Sequence, residues 1–64
     1  MELDPQKYRG RRLVKLLPDL EDLRYKLLEV KPPGQMSGTG AARVLHIRKR
    51  DDVIEILFCL EDYL

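Results

Sequence analysis

Two apolar runs in the second half of the chain, ARVLHIRK and VIEILFCL, are separated only by the short charged stretch RDD. Runs rich in β-branched and aromatic residues on either side of a polar connection predict a β-hairpin. We place Asp51 and Asp52 at its turn, although a four-residue loop with the same register is an alternative because Asp-Asp is a poor two-residue turn. The predicted cross-strand pairs are Lys49 with Ile54, Arg48 with Glu55, Ile47 with Ile56, His46 with Leu57, Leu45 with Phe58, and Val44 with Cys59.

This register sorts the hairpin side chains into two faces. Six apolar residues are predicted to fall together on one face, namely Leu45, Ile47, Ile54, Ile56, Phe58 and Leu60. On the other face Arg48 lies opposite Glu55, and a slip of one residue would destroy both arrangements. This second face mixes polar residues with four apolar ones that are candidates for an interface with a partner, namely Val44, Val53, Leu57 and Cys59.

The chain before the hairpin is predicted to be helical. Asp4 followed by Pro5 is a good helix start, and we expect helix through Leu17, although Gly10 weakens it and RRLVKLL could instead be a strand. The next stretch, PDLEDLRYKLLEV, has the 3-4-3 apolar spacing of an amphipathic helix, which stops at the prolines of KPPG. The apolar positions with this spacing are Leu20, Leu23, Leu27 and Val30.

The expected fold is therefore α+β, with N-terminal helical segments, one amphipathic helix, and a C-terminal antiparallel β-hairpin packed on it. If RRLVKLL is a strand, the alternative is a β-α-β-β unit with a three-stranded sheet. Residues 1–64 form a single small domain in either case, and residues 32–40 form a flexible loop rich in proline and glycine. The glycines of this loop do not precede a lysine and a helix, so it does not fit a phosphate-binding loop.

The small size of the domain favours self-association. A domain of 64 residues buries only about 60% of the surface of its unfolded chain, and the single Cys59 excludes an internal disulfide. A homodimer is therefore the expected state. The longest apolar run, ILFCL, is too short to span a membrane, and no signal peptide is recognised, so we expect a cytoplasmic protein without a membrane partner.

Eight basic side chains are candidates for nucleic-acid binding. One group lies on the first strand of the hairpin and the other is spaced by four along the first helix, and together they are Arg43, His46, Arg48, Lys49, Arg50, Lys7, Arg11 and Lys15. Grouped cations of this kind bind phosphates with release of counterions. Against nucleic-acid binding, the net charge is only +1, neighbouring strand residues face opposite ways, and the sequence has no base-stacking strand motif.

Residues suited to catalysis or metal binding are sparse. His46 and Cys59 lie on one predicted face of the hairpin, but zinc needs four ligands and a nucleophilic cysteine needs an orienting third group. We therefore expect no enzymatic activity, no cofactor and no metal site. The sequence favours a small protein-interaction module, a homodimeric accessory or regulatory protein that binds another protein, with nucleic-acid binding as the alternative.

Overall fold

The computed structural model describes residues 3–34 and 38–63 of the chain. This part contains two one-turn α-helices, α1 (Pro5–Tyr8) and α2 (Leu13–Leu16), and a 3₁₀ turn at Leu17–Leu20. Three strands follow, β1 (Tyr25–Glu29), β2 (Ala42–Arg50) and β3 (Val53–Leu60), and a second 3₁₀ turn occupies Glu61–Tyr63. The strand order is β1-β3-β2, with β1 parallel and β2 antiparallel to β3. The predicted α+β class is confirmed, as is the C-terminal hairpin packed against helix.

The first helical segment is shorter than predicted. Asp4 caps α1 as expected, since its side chain accepts a hydrogen bond of 2.9 Å from the backbone N–H of Gln6. Gly10 then adopts a φ of +79°, which interrupts the helix before α2 begins. The interrupted segment pairs with β2 instead, because the Gly10 N–H donates to the Val44 carbonyl at 2.7 Å and the Val44 N–H donates to the Arg11 carbonyl at 2.9 Å.

The predicted amphipathic helix is wrong over most of its length. Helical structure ends at Leu20, and Tyr25–Glu29 is a strand that runs parallel to β3. The sheet has three strands, as in the alternative, but RRLVKLL does not supply the third: Leu13–Leu16 is helical and Arg12 contributes only a single bridge to Arg43. The central strand β3 has apolar residues on both faces and two hydrogen-bonding edges, and pairing with β1 satisfies its second edge.

The predicted hairpin register is confirmed from the turn to His46. Asp51 and Asp52 form the turn, Arg48 lies opposite Glu55, and His46 lies opposite Leu57. A β-bulge at Leu45 then shifts the register by one residue, so Val44 pairs with Phe58 and Arg43 with Cys59. The predicted pairs of Leu45 with Phe58 and of Val44 with Cys59 are therefore wrong, because a bulge adds one residue to one strand only.

The core lies between the helical segments and one face of the sheet. Leu16, Leu20, Val44 and Ile56 have no exposed surface, and Tyr8, Leu13 and Ile47 are also buried in this cluster. The bulge explains why Val44, and not Leu45, belongs to the core. Helices α1 and α2 contact β2, and they leave the edge strand β1 largely uncovered, with Tyr25 and Leu27 exposed.

The segment between β1 and β2 is anchored at its second half. The Thr39 N–H donates to the Asp62 carboxylate at 3.0 Å, and its hydroxyl donates to the same oxygen. Gly38 packs so closely on the ring of Tyr63 that an added Cβ would lie 2.6 Å from it. The predicted flexible loop, 32–40, has no helix or strand among its described residues, and its residues 35–37 lie outside the described part of the chain. Its flexibility stays a prediction.

Candidate functional site

The sheet has a second face, opposite the helical layer. Ile54, Ile56 and Phe58 of β3 pack with the core cluster, so the alternate residues of this strand point to the other side. We call this second side the open face. The strand residues that lie on it are Lys26, Leu28, Arg43, His46, Arg48, Arg50, Val53, Glu55, Leu57 and Cys59. Its two ends differ in chemistry.

The end of the open face near the hairpin turn is charged. Glu55 is only 9% exposed, and its carboxylate accepts a hydrogen bond of 2.6 Å from Arg48 Nε, while Arg50 Nε lies 3.7 Å from the same oxygen. The Arg48 hydrogen bond lowers the pKa of Glu55, against the effect of burial, and the charges of Arg48, Arg50 and Lys26 add to this lowering. Two cations of the hairpin are thus engaged by one buried carboxylate.

The other end of the open face is mainly apolar. It contains a depression of about 310 Å³ lined by Val30, Lys31, Pro32, Leu45, Cys59 and Tyr63. Cys59 is buried, whereas Val30 is 42% exposed. Leu28 and Leu57 are neighbours across β1 and β3, and both are half-buried. We call Leu28, Val30, Leu45 and Leu57 the apolar strip.

The four predicted interface residues are not brought together. Val53 and Leu57 lie half-buried on the open face. Val44 lies in the core instead, because of the bulge, and has no exposed surface. Cys59 is 3% exposed and is therefore almost inaccessible in a single chain. Of the predicted set, Leu57 lies in the apolar strip.

The basic residues of the hairpin are also split. Arg43 donates to the Glu61 carboxylate from Nε at 2.9 Å and from Nη2 at 2.7 Å, and this pairing lowers the pKa of Glu61. Lys49 lies beside Leu3 and Leu23 in a groove on the helix side of the sheet. His46 is exposed and lines a different depression, together with Pro5, Gln6, Arg9 and Leu45. The strand therefore does not present one continuous cationic surface.

The N-terminal cations do come together. Lys7, Arg11 and Lys15 line one open depression of about 470 Å³ with Tyr8 and Asp19, although the helix that was predicted to align them is interrupted. The Tyr8 hydroxyl donates to Asp19, which raises the pKa of Tyr8, and Lys7 Nζ lies 5.3 Å from the centre of the Tyr8 ring. We call Lys7, Arg11 and Lys15 the cationic cluster.

Sequence reasoning missed the exposed edge of β1. Tyr25 and Leu27 are 43% and 44% exposed on the helix side of the sheet, beyond the reach of the helices. The signal was present in VIEILFCL, since a run that is apolar on both faces is typical of a central strand with two neighbours. That strand therefore needed a third strand from elsewhere in the chain.

His46 and Cys59 lie on the same face of the hairpin, but they line different depressions. Within residues 3–34 and 38–63, no three or more His, Cys, Asp or Glu side chains are grouped to hold a metal ion. No helix in the described part of the chain has the length and apolar character needed to cross a bilayer. No protein-family model, curated protein or solved structure matches this chain. The chemistry that the surface can perform is therefore inferred from its geometry.

Proposed function

We propose that this chain is a small, non-enzymatic, homodimeric protein-interaction module that binds a partner protein on its open face. The observation that carries the proposal is the apolar strip, Leu28, Val30, Leu45 and Leu57, on a sheet face opposite the helical layer. Sheets with one uncovered face usually show polar residues there. Apolar residues in that position favour a surface that another protein covers.

The layout of the open face suits a protein partner. Protein interfaces combine an apolar centre with a polar rim, and arginine is enriched in them. Here the apolar strip is adjacent to Arg48, Arg50 and Lys26 around the buried Glu55. Because Glu55 engages two of these cations, the rim has defined hydrogen-bond directions instead of a diffuse positive field.

Two measurements test this proposal. Sedimentation equilibrium at micromolar concentration is expected to give about twice the 7.5 kDa mass of one chain. Affinity capture from the source cell is expected to retain a protein partner that the Leu57→Glu variant loses and that Val14→Glu retains. Val14 is the matched control because it is 62% exposed and lies on α2, away from the open face. A well-folded monomer would exclude the homodimer, and equal capture by both variants would exclude the open face.

A second candidate function is nucleic-acid binding, which the cationic cluster favours. Lys7, Arg11 and Lys15 border one depression and form no ion pair with a described carboxylate. Three phosphate contacts to a single strand would give a slope of about −2 in log K against log salt.

Fluorescence anisotropy with a labelled oligonucleotide over a range of salt concentrations tests this alternative. The triple variant Lys7→Gln, Arg11→Gln, Lys15→Gln is expected to lose binding. The matched control is Arg24→Gln, Lys26→Gln, Lys31→Gln, which removes the same charge from other exposed positions. Equal loss in both triple variants would indicate net charge alone, and no binding by the unmodified chain would exclude the alternative.

A further inference from the structure

The outer edge of β1 carries backbone groups that no described strand pairs. At the two ends of β1, the Arg24 carbonyl accepts from Ile54 at 2.9 Å and the Val30 N–H donates to Phe58 at 2.7 Å. Hydrogen-bonding direction alternates along a strand, so the even-numbered residues from 24 to 30 bond to β3. The N–H and C=O groups of Tyr25, Leu27 and Glu29 therefore point away from the sheet.

The two edges of the sheet differ in how much of their backbone is covered by other parts of the described chain. Residues 10–12 cover part of the outer edge of β2 through two hydrogen bonds to Val44 and a bridge between Arg12 and Arg43. Edge strands are usually protected against pairing with another chain by such cover, by proline, by a bulge or by charged side chains, and of these β1 has only two charges of opposite sign, Lys26 and Glu29. The sequence YKLLE contains no proline, and its pairing with β3 has an unbroken register.

Two apolar side chains accompany this edge. Tyr25 and Leu27 lie on the helix side of the sheet, are 43% and 44% exposed, and mark the limit of the helical layer. A neighbouring strand on the outer edge would bring its own side chains against them. A single additional strand on this edge would therefore bond to the exposed backbone groups and cover the exposed apolar side chains.

We propose that a second copy of this chain pairs its β1 with this edge, antiparallel and centred on Leu27. This inference rests on the homodimer of the proposed function and names its interface. In this register Leu27 faces Leu27 of the partner subunit, and Tyr25 faces Glu29 of the partner subunit. The outward N–H and C=O groups of all three odd-numbered residues of each strand then bond across the two-fold axis.

The sequence of β1 selects this register. Centring the pairing on Lys26 or on Glu29 would bring like charges directly opposite one another, which is destabilising. Centring it on Leu28 would put Leu27 opposite a glutamate and take Tyr25 beyond the partner strand. Only the Leu27 register uses every outward backbone group of the strand and joins two exposed leucines.

The geometry has a consequence for the open face. An antiparallel pair of this kind has its two-fold axis perpendicular to the sheet, so both copies keep the same face on the same side. The dimer would contain one six-stranded sheet with both apolar strips on the same face, one toward each end of the sheet, because Leu28 would lie opposite Lys26 of the partner subunit. A partner protein with two contact points would then bind with an increased effective concentration.

Disulfide trapping tests the register directly, in a Cys59→Ala background. Hydrogen-bonded antiparallel partners lie about 5.5 Å apart at Cα, within the range for a disulfide. Leu27→Cys is therefore expected to form a covalent dimer under mild oxidation at least ten times faster than Tyr25→Cys. Tyr25 is the matched control because it has nearly the same exposure on the same face. A mixture of Tyr25→Cys and Glu29→Cys chains is expected to cross-link to each other and not to themselves. Equal rates for Leu27→Cys and Tyr25→Cys would overturn the register.

Sedimentation equilibrium of Leu27→Lys and Val14→Lys provides the second readout, with circular dichroism to check folding. Leu27→Lys is expected to weaken the dimer at least tenfold, whereas Val14→Lys leaves it unchanged. If Leu57→Glu dissociates the dimer and Leu27→Lys does not, the homodimer stands but its interface is the open face, and the edge pairing is overturned. If the unmodified chain is a monomer throughout, both the homodimer and the edge pairing fail.

Discussion

Arg48 donates a hydrogen bond of 2.6 Å from Nε to the carboxylate of Glu55, which lies near the start of the central strand and is only 9% exposed. The two residues are directly opposite in the hairpin, so the bond crosses between neighbouring strands. Arg50 lies 3.7 Å from the same carboxylate. A carboxylate in this position is held in its charged form by the strand beside it, and the fold thereby becomes sensitive to acid.

The free energy of unfolding is expected to fall in acid because of Glu55. Its pKa is lowered in the folded chain, so its contribution is present above the pKa of unfolded glutamate and is lost as the pH falls from about 5 through the lowered value. The Glu55→Gln variant should lose less unfolding free energy over this pH range. Glu61, whose pKa is also lowered, should supply part of the pH dependence that remains. Urea unfolding at a series of pH values measures this. Glu21→Gln, at an exposed position, is the control and should retain the full dependence.

Tyr8 is expected to ionise at a higher pH than a tyrosine in an unfolded chain. Its hydrogen bond to Asp19, together with burial and the charge of Asp19, raises the pKa of Tyr8. A raised pKa contributes stability that is present below the unfolded value of about 10 and is lost as the pH rises through the folded value. An absorbance titration of tyrosinate should lose a component above pH 10 in Tyr8→Phe. If the Asp19→Asn variant left that component unmoved, Asp19 would not be its cause.

Leu16 is expected to be essential to the core. It has no exposed surface, and truncation of a fully buried leucine to alanine costs about 2–5 kcal/mol. A domain of this size has little stability to lose, so Leu16→Ala should be largely unfolded at 37 °C. Val14→Ala, two residues away and 62% exposed, should change the unfolding free energy by less than about 0.5 kcal/mol. Thermal melts followed by circular dichroism compare the two variants, and similar melts would contradict this packing.

The hairpin turn is expected to gain stability from glycine at one position only. Asp51 has a φ of +55°, a left-handed conformation that is unfavourable for a residue with a Cβ. Asp51→Gly should therefore stabilise the chain, by up to about 1 kcal/mol. Asp52→Gly should not stabilise the chain, because Asp52 does not have a positive φ and its carboxylate forms an ion pair of 2.7 Å with Arg24. Urea denaturation of both variants provides the comparison, and a gain at Asp52 instead would contradict the turn geometry.

The hairpin was predictable because its determinants are close together in sequence. Alternating apolar positions set the faces, and the Arg48–Glu55 pair independently set the register. The bulge at Leu45 was not predictable in the same way. Next to it, Val44 forms backbone hydrogen bonds with Gly10 and Arg11, which lie far away in the sequence and carry no periodic signal.

The strand at Tyr25–Glu29 was predicted to be helical because the apolar residues of the 3₁₀ turn and of β1 together have helical spacing. Leu20 is buried in the helical layer, while Leu27 and Val30 belong to the sheet region and are exposed, so their regular spacing does not reflect one face. Local periodicity competed with the pairing requirement of a distant strand, and the pairing requirement decided the structure. The predicted interface residues are separated because the bulge moves Val44 to the core face of the sheet, whereas Val53 and Leu57 stay on the open face.

The parallel pairing of β1 with β3 imposes an order on folding. Asp51 and Asp52 close the hairpin locally, whereas Tyr25 meets Ile54 only after a long loop has closed, and that closure is costly in entropy. We expect β1 to dock after the folding transition state, so stopped-flow kinetics of Leu28→Ala should show faster unfolding with an almost unchanged folding rate. During that interval β3 has one unsatisfied edge and apolar residues on both sides. The yield of refolding should therefore fall as the protein concentration rises, even though the native chain is small.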